Sequence, residues 1–284
     1  MGFTFGLRRR FVQIMTTFFT NWELTNLLSG KVYKGPGKNL CAPGLNCYSC
    51  PSAAFSCPIG ALQTVMGTTG FGISFYVSGF LLLLGLLMGR FVCGFLCPFG
   101  FFQELLHKLP VPKKKLFPPL IYVKYAVLVI FVLLVPLGGA IYGSKGLPAF
   151  CQYICPAGTL EGAIPLLITH PEFRQAAGIL FAWKFFILIG VVVGCMFIYR
   201  FFCKTLCPLG AIYGLLNPVS LYRLRLAEQR CIACGKCQEI CPMNINPACQ
   251  TASAECIMCG KCIEACPHQA LYLGREQKFS GIQL

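Results

Sequence analysis

The residues in this chain that could do chemistry are its cysteines, 20 among 284 residues. Two runs share one spacing: Cys231, Cys234, Cys237 and Cys241 before Pro242, and Cys256, Cys259, Cys262 and Cys266 before Pro267. In the C-x2-C-x2-C-x3-C-P pattern, three close thiolates grip one face of a [4Fe-4S] cube and the fourth serves the other cube. The expected sets are therefore crossed: Cys231, Cys234 and Cys237 with Cys266, and Cys256, Cys259 and Cys262 with Cys241. A tetrahedral zinc site needs only paired C-x2-C hooks and gives no reason for a doubled run of four with a trailing proline. Disulfides would explain so many cysteines only in a small secreted chain. The implied chemistry is one-electron transfer, and no side chain is singled out as catalytic.

Four more cysteines open a shorter motif, C-P-x-G, at Cys57, Cys97, Cys155 and Cys207. Three have a partner four residues earlier, giving the pairs Cys93/Cys97, Cys151/Cys155 and Cys203/Cys207. Thiolates one helical turn apart point the same way, and the proline breaks the turn beneath them. The copies fall into two halves, each reading as an outward C-P-x-G, one membrane span and an inward C-x3-C-P. An extra span between the halves gives both the same orientation, a parallel internal repeat. Four thiolates per face are what one cube needs. The inner set is expected to be Cys93, Cys97, Cys203 and Cys207, with Arg90, Arg200 and Lys204 beside it to favour thiolates. The outer set is expected to be Cys50, Cys57, Cys151 and Cys155, with Cys41 and Cys47 as alternates and disulfides as the competing use of these residues. Cys195 reads as a small buried residue of a span, and Cys249 fits neither ferredoxin run.

The elements that must position these residues are membrane helices. Hydrophobic residues make up 56% of the chain and charged ones 12%, a membrane composition. The formal charge is +15, which suits anionic clusters and lipid headgroups. Nucleic acid is excluded as the partner because the basic residues sit between apolar spans. Spans are expected over about residues 71–88, 120–142 and 179–199. A first one over Phe11 to Leu28 has an interfacial amphipathic helix as its alternative. Lys124 and Lys184 lie near span ends and are expected to snorkel. Basic residues concentrate in 90–117 and after residue 199, which puts the N-terminus and the ferredoxin region in the cytoplasm. The expected architecture is mainly α: a polytopic bundle of about four spans over residues 1–222, with half one at about 41–117 and half two at about 143–222. A cytoplasmic α+β ferredoxin domain of the 2[4Fe-4S] bacterial type follows over 223–284. His107, His170 and His268 lie outside the spans, against a bis-histidine haem within the membrane.

The stretch Arg90-Phe-Val-Cys-Gly-Phe-Leu-Cys-Pro-Phe-Gly100, followed by Gln103-Glu104-Leu105-Leu106, resembles the membrane polyferredoxin family, with its NapH, MauN and NosR types. Cys203-Lys-Thr-Leu-Cys-Pro-Leu-Gly210 resembles the same element, and the ferredoxin runs match as well. The resemblance implies electron transfer between the cytoplasmic side or the quinone pool and a redox protein outside. The chain differs from the NapH and NosR types in its cysteine-rich loop from Cys41 to Cys57. The leading expectation is a conduit of [4Fe-4S] clusters in the cytoplasmic membrane, fed by a cytoplasmic ferredoxin or flavoprotein and emptied by an extracytoplasmic redox protein. Two alternatives stand beside it. One is a quinol dehydrogenase subunit that binds a quinone and moves protons through Glu104, Glu161 or Glu23. The other is an electron donor for metalloenzyme maturation.

Overall fold

The computed structural model describes residues 5–69, 75–141, 146–176 and 178–274. It is mainly helical, with one pair of short strands. Two helices among the described residues are long and apolar enough to cross a membrane, Pro118–Gly139 and Ile179–Phe197. At about 1.5 Å per residue each matches a hydrocarbon core of about 30 Å. In the Ile179–Phe197 helix only 17% of the most apolar window is buried, so its side chains point outward. The Pro118–Gly139 helix passes through a π-helical stretch at Leu128–Leu134. The expected end of this span at Tyr142 lies outside the described residues, as does the expected start of the 71–88 span. Its described part is the helix Phe75–Met88.

The first helix runs Phe5–Thr20 rather than Phe11 to Leu28. It stops where the Asn21 side-chain amide donates to the Thr17 carbonyl at 3.1 Å, and a separate short helix, Leu24–Ser29, follows. Its polarity is inverted relative to a soluble helix. Arg9, Gln13 and Thr20 are buried, whereas Phe11, Ile14, Phe18 and Phe19 face out. Gln13 anchors the inward face by donating to the Gly94 carbonyl at 2.9 Å.

Strand Arg223–Leu226 pairs antiparallel with Leu271–Gly274, Leu226 opposite Leu271, and closes the ferredoxin region. That region is docked on the bundle: Leu221 and Tyr222 donate backbone bonds of 2.8 and 3.0 Å to the carbonyls of Leu86 and Leu87. Docking accounts for a departure from expectation at Lys124. Instead of snorkelling to water, it is fully buried and ion-paired with Glu255 of the ferredoxin region, which lays a carboxylate over the end of its helix. Lys184 also turns inward, donating to the Cys151 carbonyl at 3.2 Å.

Candidate iron–sulfur centres

In the ferredoxin region, each cysteine run bends through left-handed residues on both sides of its middle cysteine. Ala233 and Gly235 have φ of 54° and 76°, and Met258 and Gly260 have 53° and 80°. Alternating handedness turns successive backbone N–H groups toward one point, a nest for an anion such as a cluster. Cys231, Cys234, Cys237 and Cys266 line a single cavity, which Cys249 also borders. The Cys262 thiol lies within electrostatic reach of Cys259, Cys256 and Cys241, and of Cys237 from the first run. The first crossed set thus shares one cavity, and the second run lies beside Cys241.

The Cys93/Cys97 and Cys203/Cys207 pairs meet at the end of the bundle on which the ferredoxin region is docked. Cys97 and Cys207 are helix caps: each sulfur accepts the N–H of the glycine three residues on, Gly100 and Gly210, at 3.3 Å. The helices they open, Pro98–Leu106 and Pro208–Leu216, start on proline, which has no N–H to leave unsatisfied there. Cys93 and Cys203 sit in the short helices Phe91–Phe95 and Phe201–Thr205, and all four sulfurs are buried within electrostatic reach of one another.

The arginines beside them are exchanged between the two pairs. Arg90 donates to the Cys203 carbonyl at 3.3 Å, and Arg200 donates to the Cys93 carbonyl at 2.5 Å. Each is neutralised by one glutamate. Glu255 binds Arg90 at 2.8 Å and also Lys124, while Glu104 binds Arg200 at 2.6 Å, Arg9, and the Tyr199 hydroxyl at 2.7 Å. Burial alone would raise the Glu104 carboxyl, but Arg200 and Arg9 hold it below the ordinary range. Arg90 and Lys124 do the same for Glu255.

At the far end, Cys47, Cys57, Cys151 and Cys155 line a cavity of about 320 Å³ with Lys184. The structure puts Cys47 there rather than Cys50. A turn in which the Cys50 N–H bonds the Cys47 carbonyl at 3.1 Å separates the two, leaving the Cys50 sulfur 3.0 Å from the Ser52 hydroxyl. Cys41 is held in a backbone bridge to Ser56. All 20 cysteines are free thiols in this structure. Cys195 is buried in the Ile179–Phe197 helix, its sulfur 3.5 Å from the Gln103 side-chain Oε1.

The loop bearing these outer cysteines does not stay at the far end. It dips until Gly44 lies against the backbone of Cys97, where an added Cβ would stand 2.6 Å from the Cys97 Cα. Leu45 then offers its N–H to the Cys97 sulfur. Cys47 is only two residues further, so consecutive Cα spacing of about 3.8 Å keeps its Cα within roughly 8 Å of that of Leu45. Tyr213, fully buried, lies within electrostatic reach of Cys93, Cys97, Cys41 and Cys57, and its hydroxyl donates to the Pro43 carbonyl at 3.1 Å. Gly44→Val is expected to push the loop off Cys97. Power-saturation EPR would register this as weaker magnetic coupling between two clusters at unchanged iron content.

Sequence reasoning missed a register that was available to it. The residue six after each C-P-x-G cysteine is Gln63, Gln103, Glu161 or Tyr213. The two glutamines each donate to a thiol distant in sequence, Gln63 to Cys151 at 3.3 Å and Gln103 to Cys203 at 3.1 Å. The other two meet the dipping loop, Tyr213 at Pro43 and Glu161 at the Cys47 N–H, 2.8 Å away. Glu161 faces no cation among the described ion pairs, and burial pushes its carboxyl up to about 7, the Cys47 N–H opposing. Donors to cluster sulfur stabilise the reduced, more negative state. Gln103→Leu is therefore expected to lower the midpoint potential of one cluster in a redox titration and leave the others unmoved.

The donor set fits iron–sulfur clusters: thiols alone in fours, N–H groups aimed at sulfur, and fixed cations nearby. Among the described residues no group of three His, Cys, Asp or Glu side chains converges closely enough to hold a single metal ion. This is a 4Fe-4S-binding protein. A family model described as a 4Fe-4S binding domain matches residues 68–116, 125–164 and 180–225, and a second of the same description matches 253–272. Three relatives agree. An uncharacterized protein of Methanocaldococcus jannaschii is 31% identical over 58% of this chain and 56% of its own length. A putative electron transport protein, YccM, of Escherichia coli strain K12 is 28% identical over 58% of this chain and 44% of its own. The methylamine utilization ferredoxin-type protein MauN of Methylorubrum extorquens is 34% identical over 32% of this chain and 34% of its own. The chain belongs to the polyferredoxin family of the NapH/MauN type. It spans little more than half the length of the first of these relatives. No solved structure matches it.

Proposed function

We propose that this chain carries electrons across the cytoplasmic membrane along four sets of thiolates. In order these are Cys231/Cys234/Cys237/Cys266, Cys256/Cys259/Cys262/Cys241, Cys93/Cys97/Cys203/Cys207 and Cys47/Cys57/Cys151/Cys155. A [4Fe-4S] cluster in each set would supply a one-electron carrier. The observation that carries the reading is the bonding between the segments that bear the second, third and fourth sets. The Asn217 side-chain amide donates to the Cys256 carbonyl at 3.3 Å, and its Oδ1 accepts the Arg90 backbone N–H at 3.0 Å, tying the second set to the third. Lys204, next to Cys203, donates to the carbonyl of Pro242, next to Cys241, at 3.0 Å. The loop from Gly44 to Cys47 ties the third to the fourth.

The chain's own residues keep these carriers dry and charge-balanced: Phe99 and Phe202, both buried and close in sequence to Cys97 and Cys203, pack edge to face at 5.1 Å. The outward apolar faces of Phe5–Thr20, Pro118–Gly139 and Ile179–Phe197 support a membrane setting, with Phe75–Met88 as a fourth, shorter crossing shielded by the Pro58–Thr69 helix. The first set is the most exposed, Cys234 being open to solvent, and is the natural entry for a cytoplasmic ferredoxin or flavoprotein. The fourth set faces the extracytoplasmic redox protein. The family relative named an electron transport protein supports this class of function.

The quinol-linked alternative loses Glu104 as a proton carrier, because two arginines and a tyrosine hold it ionised. Glu161, with its carboxyl near neutrality, is the residue that keeps this reading alive. Sealed proteoliposomes with ferricyanide inside and an impermeant reductant outside test the conduit. Internal reduction well above the protein-free rate, abolished in Cys97→Ala, is expected; reduced clusters without internal reduction would defeat the reading.

A further inference from the structure

A cavity of about 340 Å³ opens where the first helix, the 107–115 loop and the ferredoxin region meet. Its wall carries Arg10, Lys108, Lys114, Lys115 and Lys261. Its one carboxylate, Glu104, is already engaged by Arg9, Arg200 and Tyr199. Lys113 is turned to the carbonyls of His107, Leu109 and Met196 at 2.6, 2.7 and 3.0 Å and shapes the loop. Arg9 forms the back of the cavity and is 5% exposed. Its Nη2 meets Glu104, while its Nη1 has no hydrogen-bond partner among the described residues. A buried charged donor without an acceptor is costly, and an anionic oxygen entering the cavity would satisfy it.

We propose that this cavity binds a phosphate-bearing ligand. A carboxylate brings two oxygens and one charge, whereas a phosphoryl group brings three oxygens and up to two charges, matching cations that converge from three separate segments. The size falls within the range of small-ligand pockets. None of the cysteine sets contributes a wall, so the assignment stands independently of electron transfer. The phosphate could belong to a soluble diphosphate or to a lipid headgroup, and one experiment separates them.

Iron-loaded full-length protein in phosphatidylcholine nanodiscs is titrated with pyrophosphate by calorimetry. In parallel, nanodiscs containing phosphatidylglycerol are examined by native mass spectrometry for retained lipid. Saturable pyrophosphate binding assigns the soluble source, and retained phosphatidylglycerol assigns the lipid. In either case the Lys108→Gln/Lys114→Gln/Lys115→Gln protein is expected to bind roughly tenfold more weakly or worse, the cost of about 1.4 kcal/mol. Should that variant lose iron, Lys261→Gln from the opposite wall gives the same comparison. Absence of both ligands from the wild type, or equal binding in the variants, overturns the proposal.

Discussion

Glu255→Gln is expected to destabilise the protein by about 3–5 kcal/mol, the cost of stripping one partner from a buried ion pair. The side chain keeps its shape and hydrogen-bonding oxygen but leaves Arg90 and Lys124, both fully buried, without a counter-charge. The same carboxylate joins the ferredoxin region to the bundle, so the variant should lose its visible iron–sulfur absorbance at a markedly lower temperature. Adding Lys124→Met removes one of the two stranded charges and should recover part of the loss. A Glu255→Gln protein as heat-resistant as the wild type would mean that the ferredoxin region is not docked as described.

The second large effect separates two cysteines that lie three apart in sequence. Cys47→Ser should remove about four irons, one cube, with the matching EPR signal, because a set of four thiols loses a member. Cys50→Ser should keep its full complement, since that sulfur lies against Ser52 outside the cavity. The reverse outcome would return the outer set to Cys50 and remove the close approach between inner and outer sets.

These residues also mark where the sequence was legible. Fixed spacings named the ferredoxin sets, because three ligands within seven residues leave the chain little freedom. The inner set could be read from a duplicated motif. The choice between Cys47 and Cys50 could not, since the loop from Cys41 to Cys57 has no periodicity and a single turn at Tyr48-Ser49 decides which sulfur faces the cavity. The partner of Lys124 was equally hidden: Glu255 lies 131 residues away, and only docking of the ferredoxin region brings the two together. The dip of the loop onto Cys97 rests on Gly44, one glycine among 30, and becomes visible only when the backbone that a side chain would strike is known. The first helix ended early because Asn21 turned its amide back onto Thr17, a local bond that hydropathy does not register.

The central claim is four clusters in one line from an exposed end to the far side of the bundle. Its most direct test is the count of iron and acid-labile sulfide per chain in anaerobically purified protein, with EPR of the reduced sample at low temperature. About sixteen of each, with signals broadened by mutual coupling, is the predicted result. About twelve would leave the Cys47/Cys57/Cys151/Cys155 set without a cluster, and about eight would confine electron transfer to the ferredoxin region; either would contradict the conduit.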